Sequence, residues 1–284
     1  MLRPLINLIL YSNLWIAACA AAMCWHTQLV LTGEFQLQPL GAFVFFATLL
    51  LYAMHRLVGL SRAEGFKDKG RYFVIERFQT HIGLYALLSG VGTLWFSWQL
   101  PWKVWWSLVP VALISMGYVL PIFGRGRRLR DFNYIKIFLI AICWSWITVY
   151  IPALELGLEY NIPLLFLFLE RIFFIFAITL PFDIRDLEID RANHVQTIPA
   201  VLGVRRSKIL AIVALVISAG FAAFTYRLDA YSDGGFAGLI SSLLITGAVV
   251  IITDPERHDY FFSGIVDGMM VLQFLLIWLG GNIG

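Results

Sequence analysis

A series of apolar runs constrains this chain more than any other feature, each run being close to the length of about 20 residues that a helix needs to cross a bilayer. Nine can be read, at approximately 5–31, 39–58, 81–99, 102–122, 134–152, 162–182, 207–226, 236–252 and 261–280. In hydrocarbon every backbone N–H and C=O must be satisfied by the chain itself, and a helix does this within one segment. The runs therefore predict an all-α integral membrane protein with nine transmembrane helices. Only 14% of residues are charged and 60% are hydrophobic, against about 25% charged in a soluble domain. No linker, low-complexity tract or soluble insert interrupts the series, so residues 1–284 read as a single polytopic membrane domain. The first run follows Arg3 and contains the small residues Ala17 to Ala22, as a signal peptide would. It stays apolar to Leu31, however, and is expected to remain as a span.

Basic residues orient the bundle. With the N-terminus on the cytoplasmic side, 18 of the 21 Lys and Arg fall in cytoplasmic segments; Lys103 and Arg227 lie outside and Arg171 lies within a span. The positive-inside rule favours that arrangement. Trp95, Trp98, Trp102, Trp105 and Trp106 cluster near the ends of the third and fourth spans, as an interfacial aromatic belt does. The expected location is a multi-pass protein of the cell (inner) membrane. A net charge of +3 spread in this way offers no surface for nucleic acid. Cys19, Cys24 and Cys143 all lie inside apolar runs without metal-ligand spacing, which leaves them as packing residues.

The sixth run ends in the chemically richest stretch, Pro181 to Gly203, PFDIRDLEIDRANHVQTIPAVLG. Asp183, Asp186 and Asp190 are spaced by three and four residues, which on a continuous helix brings them to one face. Carboxylates gathered in this way repel one another unless a cation lies between them. Magnesium suits the role, since it is commonly held by one or two carboxylates together with substrate phosphates and water. A solvated helix face balanced by Arg185 and Arg191 is the plainer alternative, but the long apolar run before it sets these aspartates where a membrane span meets water.

This stretch resembles the second aspartate-rich motif of the UbiA superfamily of intramembrane prenyltransferases, approximately D-x-x-D-x-x-x-D, a glycine, then T-L-P-x-x-L-G. Asp183, Asp186 and Asp190 occupy the acidic positions; Thr197, Ile198, Pro199, Leu202 and Gly203 fit the tail; His194 stands where the glycine is expected. After the fourth span, Tyr118, Pro121, Arg127, Arg128, Arg130 and Lys136 resemble the tyrosine, proline and basic positions of family members. The resemblance implies a nine-helix bundle with its aspartate loop cytoplasmic. It further implies a Mg2+ ion held by Asp183, Asp186 and Asp190, and transfer of a prenyl group from a prenyl diphosphate to a lipophilic acceptor, an aromatic one among the candidates. Tyr118, Arg127, Arg128 and Lys136 would then bind the diphosphate, for which guanidinium groups are suited.

The first aspartate-rich motif of the family has no counterpart here. At the end of the second span the chain reads Tyr52 to Arg62, YAMHRLVGLSR, and His55 and Arg56 stand where acids are expected. Two readings stay open: His55 and Arg56 contact diphosphate directly, or the protein binds an isoprenoid without turning it over. Glu64 and Asp68, four residues apart in the following loop, are a further candidate pair of ligands. Glu170, Arg171 and Asp267 lie within spans, where charges must face the bundle interior with partners. They read as an interhelical clamp, as part of the acceptor site, or as the path of a transporter. Asn7 and Asn13 are milder cases, and His26, His81 and His258 lie near span ends, where an interfacial role is expected.

Overall fold

The computed structural model describes residues 2–60, 79–120, 122, 128–129, 132–192 and 195–283, and among them it is helical without strands. The helices are α1 (Leu2–Tyr11), α2 (Leu14–Thr32), α3 (Pro39–Leu60), α4 (Gln79–Ser97), α5 (Trp102–Val119), α6 (Ile135–Ser145) and α7 (Ile151–Leu156). They continue as α8 (Ile162–Arg185), α9 (Leu187–Ala192), α10 (Ile198–Arg227), α11 (Asp233–Ile251) and α12 (Asp267–Ile283). A π-helical turn, Trp146–Tyr150, joins α6 to α7, and a second, Phe261–Val266, leads into α12.

Seven of the described helical spans are long and apolar enough to cross a membrane: Leu14–Thr32, Pro39–Leu57, Ile135–Leu156, Ile162–Arg185, Ile198–Arg227, Asp233–Ile251 and Phe261–Asn282. The remaining two expected segments coincide with α4 and α5. These helices carry His81, Lys103 and several tryptophans and are less apolar on average, yet they expose Leu84, Leu87, Val91, Leu94, Val109 and Leu113. The first expected span is divided. The chain turns at Ser12 and Asn13, with Asn13 in the left-handed region at φ 68°, so α1 is a separate ten-residue helix.

The long helices close into a ring. α2 packs on α3, α5 links α3 to α7, and α6 lies along α8. α8 packs most extensively on α10, and α11 and α12 lead back to α2. α4 lies outside, against α3. Leu167, Phe174, Met23, Leu239, Phe262 and Met270 fill the interior.

Breaks in helical hydrogen bonding are satisfied chiefly by side chains of α2. Pro152 has no N–H to offer the carbonyls one turn back. Ile147 O accepts the Cys24 thiol at 3.7 Å instead, and Thr148 O the Thr27 hydroxyl at 2.6 Å. On the opposite flank Trp15 Nε1 donates to Gly264 O at 3.0 Å and Cys19 Sγ to Asp267 O at 3.2 Å, both carbonyls belonging to the second π-helical junction.

α11 and α12 approach backbone to backbone. A Cβ on Gly234 would stand 2.2 Å from Gly280 O, and one on Gly238 would stand 2.1 Å from Leu276 O. Glycines four residues apart give a helix the flat face that close membrane packing uses. In an ordinary helix Gly→Ala would stabilise by about 0.5–1 kcal/mol. Gly238→Ala is expected to do the opposite and lower stability by roughly 1–3 kcal/mol through overpacking. Thermal unfolding in detergent checks the sign, and a raised midpoint would contradict the close approach.

Candidate active site at the aspartate end of the bundle

α8 ends at Asp186, whose N–H still reaches Phe182 O at 3.0 Å but whose backbone (φ −87°, ψ 6°) leaves the helix. α9 starts at the next residue, and Asp190 N–H donates to Asp186 O at 2.9 Å. The three aspartates are therefore divided between two helices rather than aligned on one. Asp183 and Asp190 are both buried, at 2% and 7% exposure. Both face Lys136: its Nζ lies 2.6 Å from Asp183 Oδ1 and 3.7 Å from Asp190 Oδ2.

Lys136 sits in the first turn of α6, where the helix dipole disfavours a cation. A strap of hydrogen bonds holds it there. Tyr134 N–H donates to Gln196 O at 3.1 Å, the Tyr134 hydroxyl to Gln196 Oε1 at 3.0 Å, and Gln196 N–H to Asn133 Oδ1 at 2.9 Å. The residues before α10 are thereby tied to the start of α6. Within α10, Gly203 adopts φ 77°, ψ 164°, a region essentially restricted to glycine. That requirement accounts for the glycine at the end of the T-I-P-x-x-L-G tail.

Asp186 turns to its neighbour, Arg185, whose Nε donates to Oδ1 at 2.9 Å and whose Nη2 donates to Oδ2 at 3.2 Å. The guanidinium lies 5.1 Å from the Phe182 ring centroid and 5.4 Å from that of Phe262, and 3.7 Å from Asp259. Arg185 is thus an anchor for the motif, which its sequence position did not disclose. The rings that hold it belong to two separate helical segments.

The remaining expected residues divide. His55 and Tyr118 come together from α3 and α5, with ring centroids 6.3 Å apart. Arg56 is directed elsewhere: Nη1 donates to Tyr11 O, Nη2 donates to Leu10 O at 3.4 Å, and the group lies over the Tyr11 ring at 6.0 Å. It satisfies carbonyls at the end of α1. Arg128 is half-buried. Pro121, Arg127, Arg130, Glu64, Asp68 and His194 lie outside the described residues.

Among the described residues of the aspartate motif the donors are carboxylate oxygens, which fit a hard divalent cation. Among the described residues no three His, Cys, Asp or Glu side chains converge on one point. An ion here would complete its shell from phosphate and water, as magnesium commonly does.

About 18 Å along α8, at 1.5 Å per residue, Glu170 and Arg171 enter a second polar cluster, both fully buried. Arg171 Nη1 donates to Met23 O at 3.2 Å and to Thr148 Oγ1 at 3.0 Å, and its Nη2 donates to His26 Nδ1 at 2.7 Å. With Nδ1 accepting, the proton of neutral His26 is on Nε2, which faces the Tyr231 oxygen at 3.0 Å. The Tyr231 hydroxyl in turn donates to Glu170 Oε2 at 3.1 Å. Burial, reinforced by Glu170, pushes the Tyr231 hydroxyl well above its ordinary value, so it remains a donor. His26, expected at an interface, is instead wholly buried at the centre of this cluster. Asp267 lies apart from it, with Arg185 as its nearby charge. A cavity of about 330 Å³, lined in part by Glu34, Tyr231, Trp278 and Asn282, opens at that end, away from the aspartates.

The chain of hydrogen bonds from Arg171 to Glu170 predicts that Arg171→Met, which leaves buried Glu170 without a cation, costs about 3–5 kcal/mol. Glu170→Gln keeps an acceptor for Tyr231 and should cost clearly less. Thermal unfolding of the two variants decides this, and equal stability of Arg171→Met and wild type would contradict an interhelical clamp.

Comparison with known proteins bears on the fold and the family. The chain is similar in structure to a UbiA homologue from Archaeoglobus fulgidus bound to GPP and Mg2+, with a TM-score of 0.66 and 14% identity over 96% of this chain and 99% of that one. A structure described for digeranylgeranylglyceryl phosphate synthase matches with a TM-score of 0.61 and 14% identity over the full length of both chains. An apo UbiA homologue from Aeropyrum pernix K1 gives 0.59 and 12%, covering 98% of each. No curated protein sequence matches. The model of the UbiA prenyltransferase family matches residues 74–275, and the chain belongs to that family.

Proposed function

We propose that this protein is an intramembrane prenyltransferase that moves a prenyl group from a prenyl diphosphate to a lipophilic acceptor and releases diphosphate. The observation that carries the reading is the gathering of Asp183, Asp186 and Asp190 with Lys136 and Arg185 at one end of an apolar bundle. Similar folds bound to GPP and Mg2+ and to DMAPP and Mg2+ support it. All nine long helical segments cross the membrane, with the N-terminus and the aspartate loop cytoplasmic, as the distribution of Lys and Arg favours.

Asp183, Asp186 and Asp190 would hold magnesium, together with phosphate and water, and it would supply charge neutralisation for the departing diphosphate. The reaction breaks the allylic C–O bond, and the electron pair leaves with the diphosphate oxygen. The prenyl cation is then captured by a nucleophilic atom of the acceptor, which gives up a proton. Arg185 keeps Asp186 at the mouth of the bundle by its bidentate contact. Lys136 keeps Asp183 and Asp190 from repelling one another. Arg128, with Arg127 beyond the described residues, would contact diphosphate oxygens. The paired rings of His55 and Tyr118 would offer the carbocation an aromatic wall.

A second reading, an isoprenoid-binding protein without turnover, draws on one observation. Arg56, where the family carries an acid, is engaged with the carbonyls of Leu10 and Tyr11. Diphosphate release by purified protein, offered prenyl diphosphates of several lengths with membrane-extract acceptors, separates the two. Magnesium-dependent release is expected, reduced about 100-fold or more in Asp186→Asn and lost also in His55→Ala. Tight binding of every prenyl diphosphate with no release under any acceptor would favour the second reading.

A further inference from the structure

We infer that Lys136 is a resident cation of the diphosphate site, filling the place between Asp183 and Asp190 that a divalent ion would otherwise take. The inference deepens the prenyl-diphosphate reading and rests on it. Lys136 is 7% exposed, and its ammonium group makes a short, charge-assisted contact of 2.6 Å with Asp183, with Asp190 at 3.7 Å. The first turn of a helix is an unfavourable place for a lysine, so the two carboxylates set its position. Two buried carboxylates facing one interior point need a cation, from a metal ion or from a paired side chain, and here a side chain supplies it.

The opposite half of the site agrees. α3 presents His55 and Arg56 rather than acids, and His55 lies beside Tyr118. Arg56 is taken up by the α1 carbonyls, so among the described residues α3 offers a histidine and no carboxylate to an ion. Diphosphate is therefore held with one divalent ion fewer than three open aspartates would gather. The aspartate end also folds without metal, because Asp183 is compensated before any ion arrives.

Counting bound ions tests this without turnover. Full-length protein in detergent is titrated with Mn2+ in the presence of inorganic pyrophosphate, and bound Mn2+ is counted by electron paramagnetic resonance. Lys136→Met is expected to bind about one ion more per chain than wild type, and its thermal midpoint should rise with Mn2+ far more than that of wild type. Lys136→Met combined with Asp183→Asn should return to the wild-type count. Equal counts in wild type and Lys136→Met overturn the inference, as does an extra ion that persists in the double variant. A Lys136→Met chain that Mn2+ does not restore to the folded state also overturns it. Because neither a prenyl chain nor an acceptor is needed, the count can fail while prenyl transfer stands, and the reverse.

Discussion

Unpaired carbonyls within a membrane must find donors, and that constraint organises this bundle. Each place where helical bonding is interrupted becomes a point where a neighbouring helix is attached. At Pro152 the carbonyls of Ile147 and Thr148 take donors from Cys24 and Thr27, and at the second π-helical junction those of Gly264 and Asp267 take donors from Trp15 and Cys19. α2 is thus held on both flanks by hydrogen bonds as well as by dispersion, which matters where lipid tails compete equally for apolar contact. Arg56 acts in the same way at the end of α1.

α8 uses charge differently within the span and at its aspartate end. Around Glu170, acid and base are linked through His26 and Tyr231 into one buried hydrogen-bonded chain. At the Asp183 end the helix stops, a short second helix begins, and the carboxylates stand among cations drawn from α6 and from α8 itself. The polar clamp fixes α8 beneath the cluster of carboxylates and cations at its Asp183 end.

Much of this was legible in the sequence because it is local. Run length located the helices, the spacing of Asp183, Asp186 and Asp190 marked the rim, and the tail ending in Gly203 matched a backbone that only glycine adopts readily. Long-range pairing was not legible. Lys136 reads as a diphosphate-binding residue after the fourth span, and its partner Asp183 is 47 positions away. His26 reads as interfacial until Tyr231, 205 positions on, and Arg171 are placed against it. The break at Asp186 also escaped the spacing argument, since offsets of three and four describe one helix equally well whether or not it continues. Asn13 divided the first run for a similar reason: a single left-handed residue leaves apolar periodicity unchanged.

The most direct test is a structure determined with an unreactive thio-analogue of geranyl diphosphate and magnesium. The aspartate-end assignment predicts diphosphate density against Asp186 and Asp190, with Lys136 still on Asp183 and the prenyl chain directed into the bundle past His55 and Tyr118. Diphosphate seated instead in the cavity beside Tyr231 and Asn282, with the aspartate end unchanged, would contradict it.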